Sequence, residues 1–179
     1  MATAYLCLGS NLGDREANLS QALLLLSPRV IVKKLSSVYQ TQPLGYEEQP
    51  MFLNMTCQVS TSLEPRELLW LVKDIEAKMG RKPGFPNSPR IIDIDILFYD
   101  ARIIKTEELT IPHPRVAERA FVLIPLSEIA PGLVHPQLGR KIADLALVVE
   151  GRNGVLKWEV SKNPLPSKGA PSPLANGER

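Results

Sequence analysis

The sequence predicts an α+β protein, a ferredoxin-like βαββαβ sandwich with additional C-terminal strands and helices. Three observations lead there. Apolar, β-branched runs and helical segments follow the order strand–helix–strand–strand–helix–strand. A length of 179 residues suits one compact domain with its own core. The composition is 44% hydrophobic and 22% charged, and no stretch approaches the roughly 20 apolar residues of a membrane span.

Each element has a local reason. Residues 3–8 are a short apolar run ending in Gly9-Ser10-Asn11, a strand followed by a turn. Residues 16–26 are rich in Ala and Leu, good helix formers, and Pro28 stops them. Residues 30–41 carry β-branched side chains in one strand-like run. Residues 52–62 alternate, with Phe52, Asn54, Thr56 and Gln58 on one face and Leu53, Met55, Cys57 and Val59 on the other. Pro65 suits a first helical turn; Leu68, Val72, Ile75 and Met79 then recur at helical spacing before Gly80. Residues 92–99 supply the fourth strand. Beyond them, 103–160 read as shorter strands plus helices around 117–129 and 141–148, and no internal repeat is found.

Composition bounds the function. With 21 Lys+Arg against 19 Asp+Glu, the formal charge of +2 gives no overall electrostatic case for nucleic acid or an acidic membrane. The N-terminus has no basic region ahead of an apolar run, so it does not read as a signal peptide. Cys7 and Cys57 sit in apolar segments and read as reduced thiols on adjacent central strands, close but unbonded. The expectation is a cytoplasmic monomer that acts on small molecules. The 16 prolines are about twice the usual share of roughly 5%. Four of them, Pro164, Pro166, Pro171 and Pro173, fall among Ser, Gly, Asn and Lys, so 1–160 is the expected domain and 161–179 a flexible tail.

Two connections are longer than the roughly two to six residues that connectivity requires. Residues 41–51 contain Pro43, Gly45 and Pro50, and residues 81–91 contain three prolines and a glycine. Both are candidate working loops. The strongest chemical signal follows the second: Pro89-Arg90-Ile91-Ile92-Asp93-Ile94-Asp95-Ile96-Leu97. Period-2 geometry puts Asp93 and Asp95 on one face with Cα atoms about 6–7 Å apart, and Ile92, Ile94 and Ile96 on the other. Paired carboxylates on a rigid strand repel unless a cation sits between them, and Mg2+ takes hard oxygen ligands while leaving positions for phosphate. A bare D-x-D also fits a solvated edge; Arg90, whose fork suits phosphate oxygens, argues against that.

Further cations flank this segment: Arg81 and Lys82 open the loop, and Arg115 and Arg119 follow Ile111-Pro112-His113-Pro114. Singly, each reads as a surface charge, His113 as a turn histidine and His135 as structural. A neutral set, Thr41, Leu44, Phe52, Asn54 and Phe121, fits core packing or a flat heterocycle read by stacking and hydrogen bonds.

Taken together, these segments resemble the 6-hydroxymethyl-7,8-dihydropterin pyrophosphokinase family of folate biosynthesis. The likeness runs in order from Leu8-Gly9-Ser10-Asn11-Leu12-Gly13 through Gln42-Pro43-Leu44-Gly45, Gln49-Pro50, Phe52-Leu53-Asn54 and Glu76-Ala77-Lys78-Met79-Gly80-Arg81. It continues through the Pro89 to Leu97 segment to Ile111-Pro112-His113-Pro114-Arg115, Phe121 and Pro125-Leu126. The resemblance implies a ferredoxin-like fold and pyrophosphoryl transfer from ATP to a hydroxymethyl oxygen, releasing AMP. It implies that Asp93 and Asp95 ligate two Mg2+ ions and that Arg81 and Arg90 are catalytic-loop arginines. Arg90, His113 and Arg119 would contact ATP phosphates, Glu76 would line the nucleotide site, and Ile96 and Thr110 would lie against the adenosine. Thr41, Gln42, Leu44, Phe52, Asn54 and Phe121 would form the pterin pocket, the two rings enclosing the pterin. Arg81 would arrive as its loop closes, and ATP would bind first.

The chain also departs from the family pattern. The loop from Arg81 to Arg90 is one residue short, Asn87-Ser88 stands where many members have Trp-Gly, and Glu108 replaces a basic residue. Nucleotidyltransfer is set aside because Gly9-Ser10 lies far from Asp93 in sequence. A ferredoxin-like RNA-binding module is set aside because no strand carries its aromatic motif. A non-catalytic pterin-binding relative is the remaining alternative.

Overall fold

The computed structural model describes residues 1–160, so the expected tail at 161–179 lies outside the described residues. The chain runs β1 (Ala2–Ser10), α1 (Arg15–Leu26), β2 (Ile31–Leu35), β3 (Tyr39–Thr41), β4 (Phe52–Thr61), α2 (Pro65–Lys78) and β5 (Asp93–Tyr99). It continues with β6 (Ile104–Lys105), β7 (Thr110–Ile111), α3 (Ala120–Ile129), α4 (Ile142–Val148) and β8 (Leu156–Lys157). The main sheet has the order β5-β1-β4-β3-β8, with β2 also paired to β4, and its ladders are antiparallel. This is the expected ferredoxin-like arrangement.

Helix ends follow local chemistry. The Asp14 carboxylate accepts from Ala17 N and opens α1. Glu64 and Glu67 form a reciprocal capping box at α2, Pro65 occupies its first turn, and Gly80 leaves it at φ +87°. At the third helix, a 3-10 turn at Val116–Glu118 precedes α3, so the helix begins later than the sequence suggested.

The sheet is covered on both faces. Leu6, Leu8, Leu53, Met55, Cys57, Ile94 and Ile96 pack with α1 and α2 in one core. Tyr5, Cys7, Leu97 and Phe98 pack with α3 and α4 in a second. Cys7 and Cys57 do lie on the adjacent strands β1 and β4, Cys57 opposite Leu6 and Cys7 opposite Thr56, and neither is bonded. They point to opposite faces, so period-2 geometry rather than distance keeps them apart.

Two irregularities depart from simple alternation. The run at 30–41 is two strands, because Ser36 leaves the ladder: its N donates to Thr56 O and its Oγ accepts from Thr56 N, both at 2.9 Å. In β5 the register against β1 shifts between Tyr5 and Leu6, which puts both Leu97 and Phe98 under α3 and α4. Asp93 and Asp95, before that bulge, face the part of the second face that the helices leave open.

Candidate active site

The open part of that face is a cleft of about 200 Å3. It is lined by Thr41, Gln42 and Leu44 from the first long loop and its root, Phe52 and Asn54 from β4, Asp93 and Asp95 from β5, and Phe121 from α3. Arg90, Arg115 and Arg119 supply its positive charge. Asn54 Nδ2 donates to Thr41 Oγ1 at 2.7 Å, which turns the buried amide toward the loop. Gly9 leaves room for it: a Cβ there would meet Asn54 Oδ1 at 2.7 Å. Each ring lies under a guanidinium, with Arg90 5.9 Å from the Phe52 centroid and Arg119 5.5 Å from that of Phe121.

A second cleft, about 260 Å3, is lined by Leu69, Lys73, Ile96, Thr110, His113 and Asp95 among others. The two clefts therefore meet at Asp95, on a strand at the edge of the sheet. This brings together the candidate residues from both sides of β5. Arg81 and Glu76 are not among the lining residues of either cleft. Arg81 Nη1 instead bonds Asp93 Oδ1 at 2.6 Å and Glu76 Oε2 at 2.7 Å, while Glu76 Oε1 accepts from Ile94 N at 2.7 Å. Glu76 thus acts here on β5 and on the arginine.

Electrostatics separate the two aspartates. Burial works to raise Asp93, but the guanidiniums of Arg81 and Arg90 outweigh it and hold the carboxyl below the usual range. Asp95 has weaker support: Arg119 Nη1 stands 3.8 Å away. Burial and then the charge on Asp93 push it up to about 6. His113 is driven down to about 4 by burial and then by Arg119. It is therefore neutral near pH 7, and since Nδ1 accepts from Arg115 N at 3.1 Å, Nε2 is left as the donor. Arg119 Nε is buried with no hydrogen-bond partner among the described residues, a donor that calls for an anionic acceptor.

The two long loops meet over the first cleft. Asn11 is the tie: Oδ1 accepts from Arg90 N at 2.8 Å, and Nδ2 donates to Gln49 Oε1 at 2.8 Å and Pro50 O at 2.9 Å. Gln49 Nε2 reaches Asn87 O at 2.9 Å, and Tyr46 and Phe85 meet edge to face at 5.3 Å. Asn87, where Trp-Gly was the expected pattern, lines the first cleft at φ +61°. Sequence reasoning missed Lys73, which reads as a solvated helix residue until β7 is placed beside it, and Cys7 on the cleft floor.

Fold and site together define a ferredoxin-like protein whose two clefts, one framed by aromatics and arginines and one by aliphatic side chains with Lys73 and His113, share the carboxylate of Asp95. The model of the 7,8-dihydro-6-hydroxymethylpterin-pyrophosphokinase (HPPK) family matches residues 5–131, and the chain belongs to that family. It is 52% identical over 128 residues to the 2-amino-4-hydroxy-6-hydroxymethyldihydropteridine pyrophosphokinase of Bacillus subtilis, covering 70% of this chain and 77% of that protein. The protein of the same name from Aquifex aeolicus is 45% identical over 136 residues, covering 76% and 85%. The folic acid synthesis protein FOL1 of Dictyostelium discoideum is 48% identical over 134 residues, 75% of this chain but 20% of its own length. Among solved structures, an HPPK-DHPS triple mutant of Plasmodium falciparum superposes with a TM-score of 0.67 at 22% identity, covering 82% of this chain and 44% of that one. That likeness concerns the fold. The chain spans about a fifth of the length of the Dictyostelium protein and under half of that of the Plasmodium chain.

Proposed function

We propose that this chain transfers the pyrophosphoryl group of ATP to the hydroxymethyl oxygen of 6-hydroxymethyl-7,8-dihydropterin and releases AMP. Family membership makes it an ATP-dependent diphosphokinase of folate synthesis. The carrying observation is that two clefts of different character meet at Asp95. The pterin takes the first, between Phe52 and Phe121 with Asn54 and Thr41 at its edge. The nucleotide takes the second, against Ile96 and Thr110, with its phosphates directed toward Asp95.

The residues present fit a divalent cation. Asp95 carries surplus negative charge that Arg119 balances only in part, and carboxylate oxygens are the donors that Mg2+ prefers. Asp93 and Asp95 would hold two Mg2+ ions; when bound, these neutralise phosphate charge and acidify the attacking hydroxyl. Arg119 Nε donates to a phosphate oxygen, satisfying its buried N–H. Neutral His113 donates from Nε2 without adding a charge. Arg90 grips phosphate from its place beside Asp93. Arg81 leaves Asp93 and Glu76 when the loop closes, which frees the carboxylate and brings a second guanidinium to the transferring group. Closure also keeps water from competing as acceptor. ATP binds first and orders the pterin side.

The remaining proposals are a monomer and a cytoplasmic location; no described helix is long and apolar enough to cross a membrane. Incubation with ATP, Mg2+ and the reduced hydroxymethylpterin, followed by identification of the nucleotide product, tests the reaction. AMP is expected. ADP would mean transfer of a single phosphoryl group, and the absence of product would leave a pterin-binding role.

A further inference from the structure

The last described strand is joined to both roots of the 42–51 loop by side chains that the reaction chemistry does not require. β8 extends the sheet beyond β3, pairing Leu156 with Gln40 and Lys157 with Tyr39, and Trp158 N donates to Val38 O at 2.9 Å. The Trp158 indole then reaches α1. Its Nε1 donates to Glu16 Oε1 at 2.6 Å, and the Arg15 guanidinium lies 5.1 Å from the ring centroid. The same guanidinium donates through Nη1 to Gln40 Oε1 at 3.1 Å and to Met51 O at 2.8 Å. Gln40 immediately precedes Thr41, where the chain enters the loop. Met51 immediately precedes Phe52, where it leaves. Thr41 and Phe52 are themselves opposite one another on β3 and β4.

We propose that Arg15, backed by Trp158, is a positioning residue for the pterin: it spans the two roots of the loop and keeps Thr41, Phe52 and Asn54 preformed. The inference rests on the pterin occupying the first cleft. A guanidinium held over an indole face by cation–π attraction is restrained before it donates, so less freedom is lost in making the two hydrogen bonds. A loop with pinned roots has fewer open arrangements to lose when a ligand seats, which improves affinity without any new ligand contact. Without Arg15 the β3–β8 and β3–β4 ladders remain, so the fold persists while the base of the loop loosens. Arg15 and Trp158 are not among the lining residues of either cleft, and the second cleft draws none of its lining from α1, β3 or β8. The effect therefore falls on the pterin and not on the nucleotide.

The test uses the full chain carrying Arg15→Met, Arg15→Lys, Trp158→Ala or Asn54→Ala. The affinity for 6-hydroxymethylpterin is read from its fluorescence with Mg2+ and a nonhydrolysable ATP analogue present, and the affinity for the analogue from calorimetry. Arg15→Met and Trp158→Ala are expected to weaken the pterin about tenfold and the analogue less than about twofold. The pterin KM rises accordingly with kcat nearly unchanged, and Arg15→Lys recovers part of the loss. Unchanged pterin affinity in Arg15→Met, or equal weakening of both ligands, overturns the positioning role. If Trp158→Ala does not fold, Arg15→Met decides alone. Asn54→Ala separates the premises: if it leaves pterin affinity intact, the pterin is not in the first cleft.

Discussion

Replacing Gly9 by alanine is expected to damage pterin binding through a single contact. A Cβ at Gly9 would stand 2.7 Å from Asn54 Oδ1, inside the 3.0 Å that real Cβ atoms respect. Asn54 cannot yield freely, because it is buried and its Nδ2 is held 2.7 Å from Thr41 Oγ1. Forcing a methyl into such packing costs about 1–3 kcal/mol, and a displaced amide forfeits about 0.5–1.5 kcal/mol of hydrogen bonding. A total near 2–3 kcal/mol lowers the melting temperature of a domain this size by about 5–10 °C. If about 2 kcal/mol of it appears in binding, pterin affinity falls about thirtyfold. Pterin fluorescence titration and thermal unfolding measure both effects, and the ATP analogue should bind as before. In an Asn54→Ala background the added methyl meets no amide, so Gly9→Ala should then cost little further stability. Wild-type pterin affinity in the single variant, or an equal stability loss in both backgrounds, would refute the contact.

Three other outcomes are expected. Asp95, raised to about 6 when folded, binds more protons folded than unfolded between the ordinary carboxylate pKa of 3.8 and 6, so its contribution to stability falls as pH rises through that window. Metal-free Asp95→Asn should therefore be more stable than the wild type above pH 6, with the gap closing toward pH 4; parallel melting curves would contradict this. Asp93→Ala should lower turnover by about three orders of magnitude, as should chelation of Mg2+, with the circular dichroism spectrum unchanged in both cases; near-normal AMP release in either would remove the metal assignment. Asn11→Ala should raise the KM for both substrates, since Asn11 ties Arg90 to Gln49 and Pro50, and an effect confined to one substrate would show that the loops move independently.

Much of this was legible in the sequence because the site sits on strands and helices with clean periodicity. Alternation alone put Asp93 with Asp95 and Phe52 with Asn54, and the structure keeps each pair on the face assigned. The break at Ser36 is masked by the β-prone residues Val30, Ile31 and Val32 on one side and Val38 and Tyr39 on the other, although Ser36-Ser37 is itself a weak turn signal, and the pairing with Thr56 across the sheet reveals it. The bulge at Leu97 was equally silent, since an apolar pair suits either face until a second layer of helices is placed over one of them. Arg81 and Glu76 match the family pattern in sequence, yet their ion pair with Asp93 depends on how α2 and β5 meet. Trp158 carried no signal, because its partners Arg15 and Glu16 are more than a hundred residues away.

The register shift in β5 makes the strand two half-strands out of phase. The half before it presents carboxylates to the cleft, and the half after it presents Phe98 to α3 and α4. Flattening the bulge at constant length would turn one half inside out, sending either the aspartates into the apolar core or Phe98 away from its helices, whereas losing Leu97 would restore regular alternation with Asp95 and Phe98 still on one face. One face of one short strand thus serves the cleft at one end and a packed apolar layer at the other, and the surplus residue at the bulge is what reconciles the two.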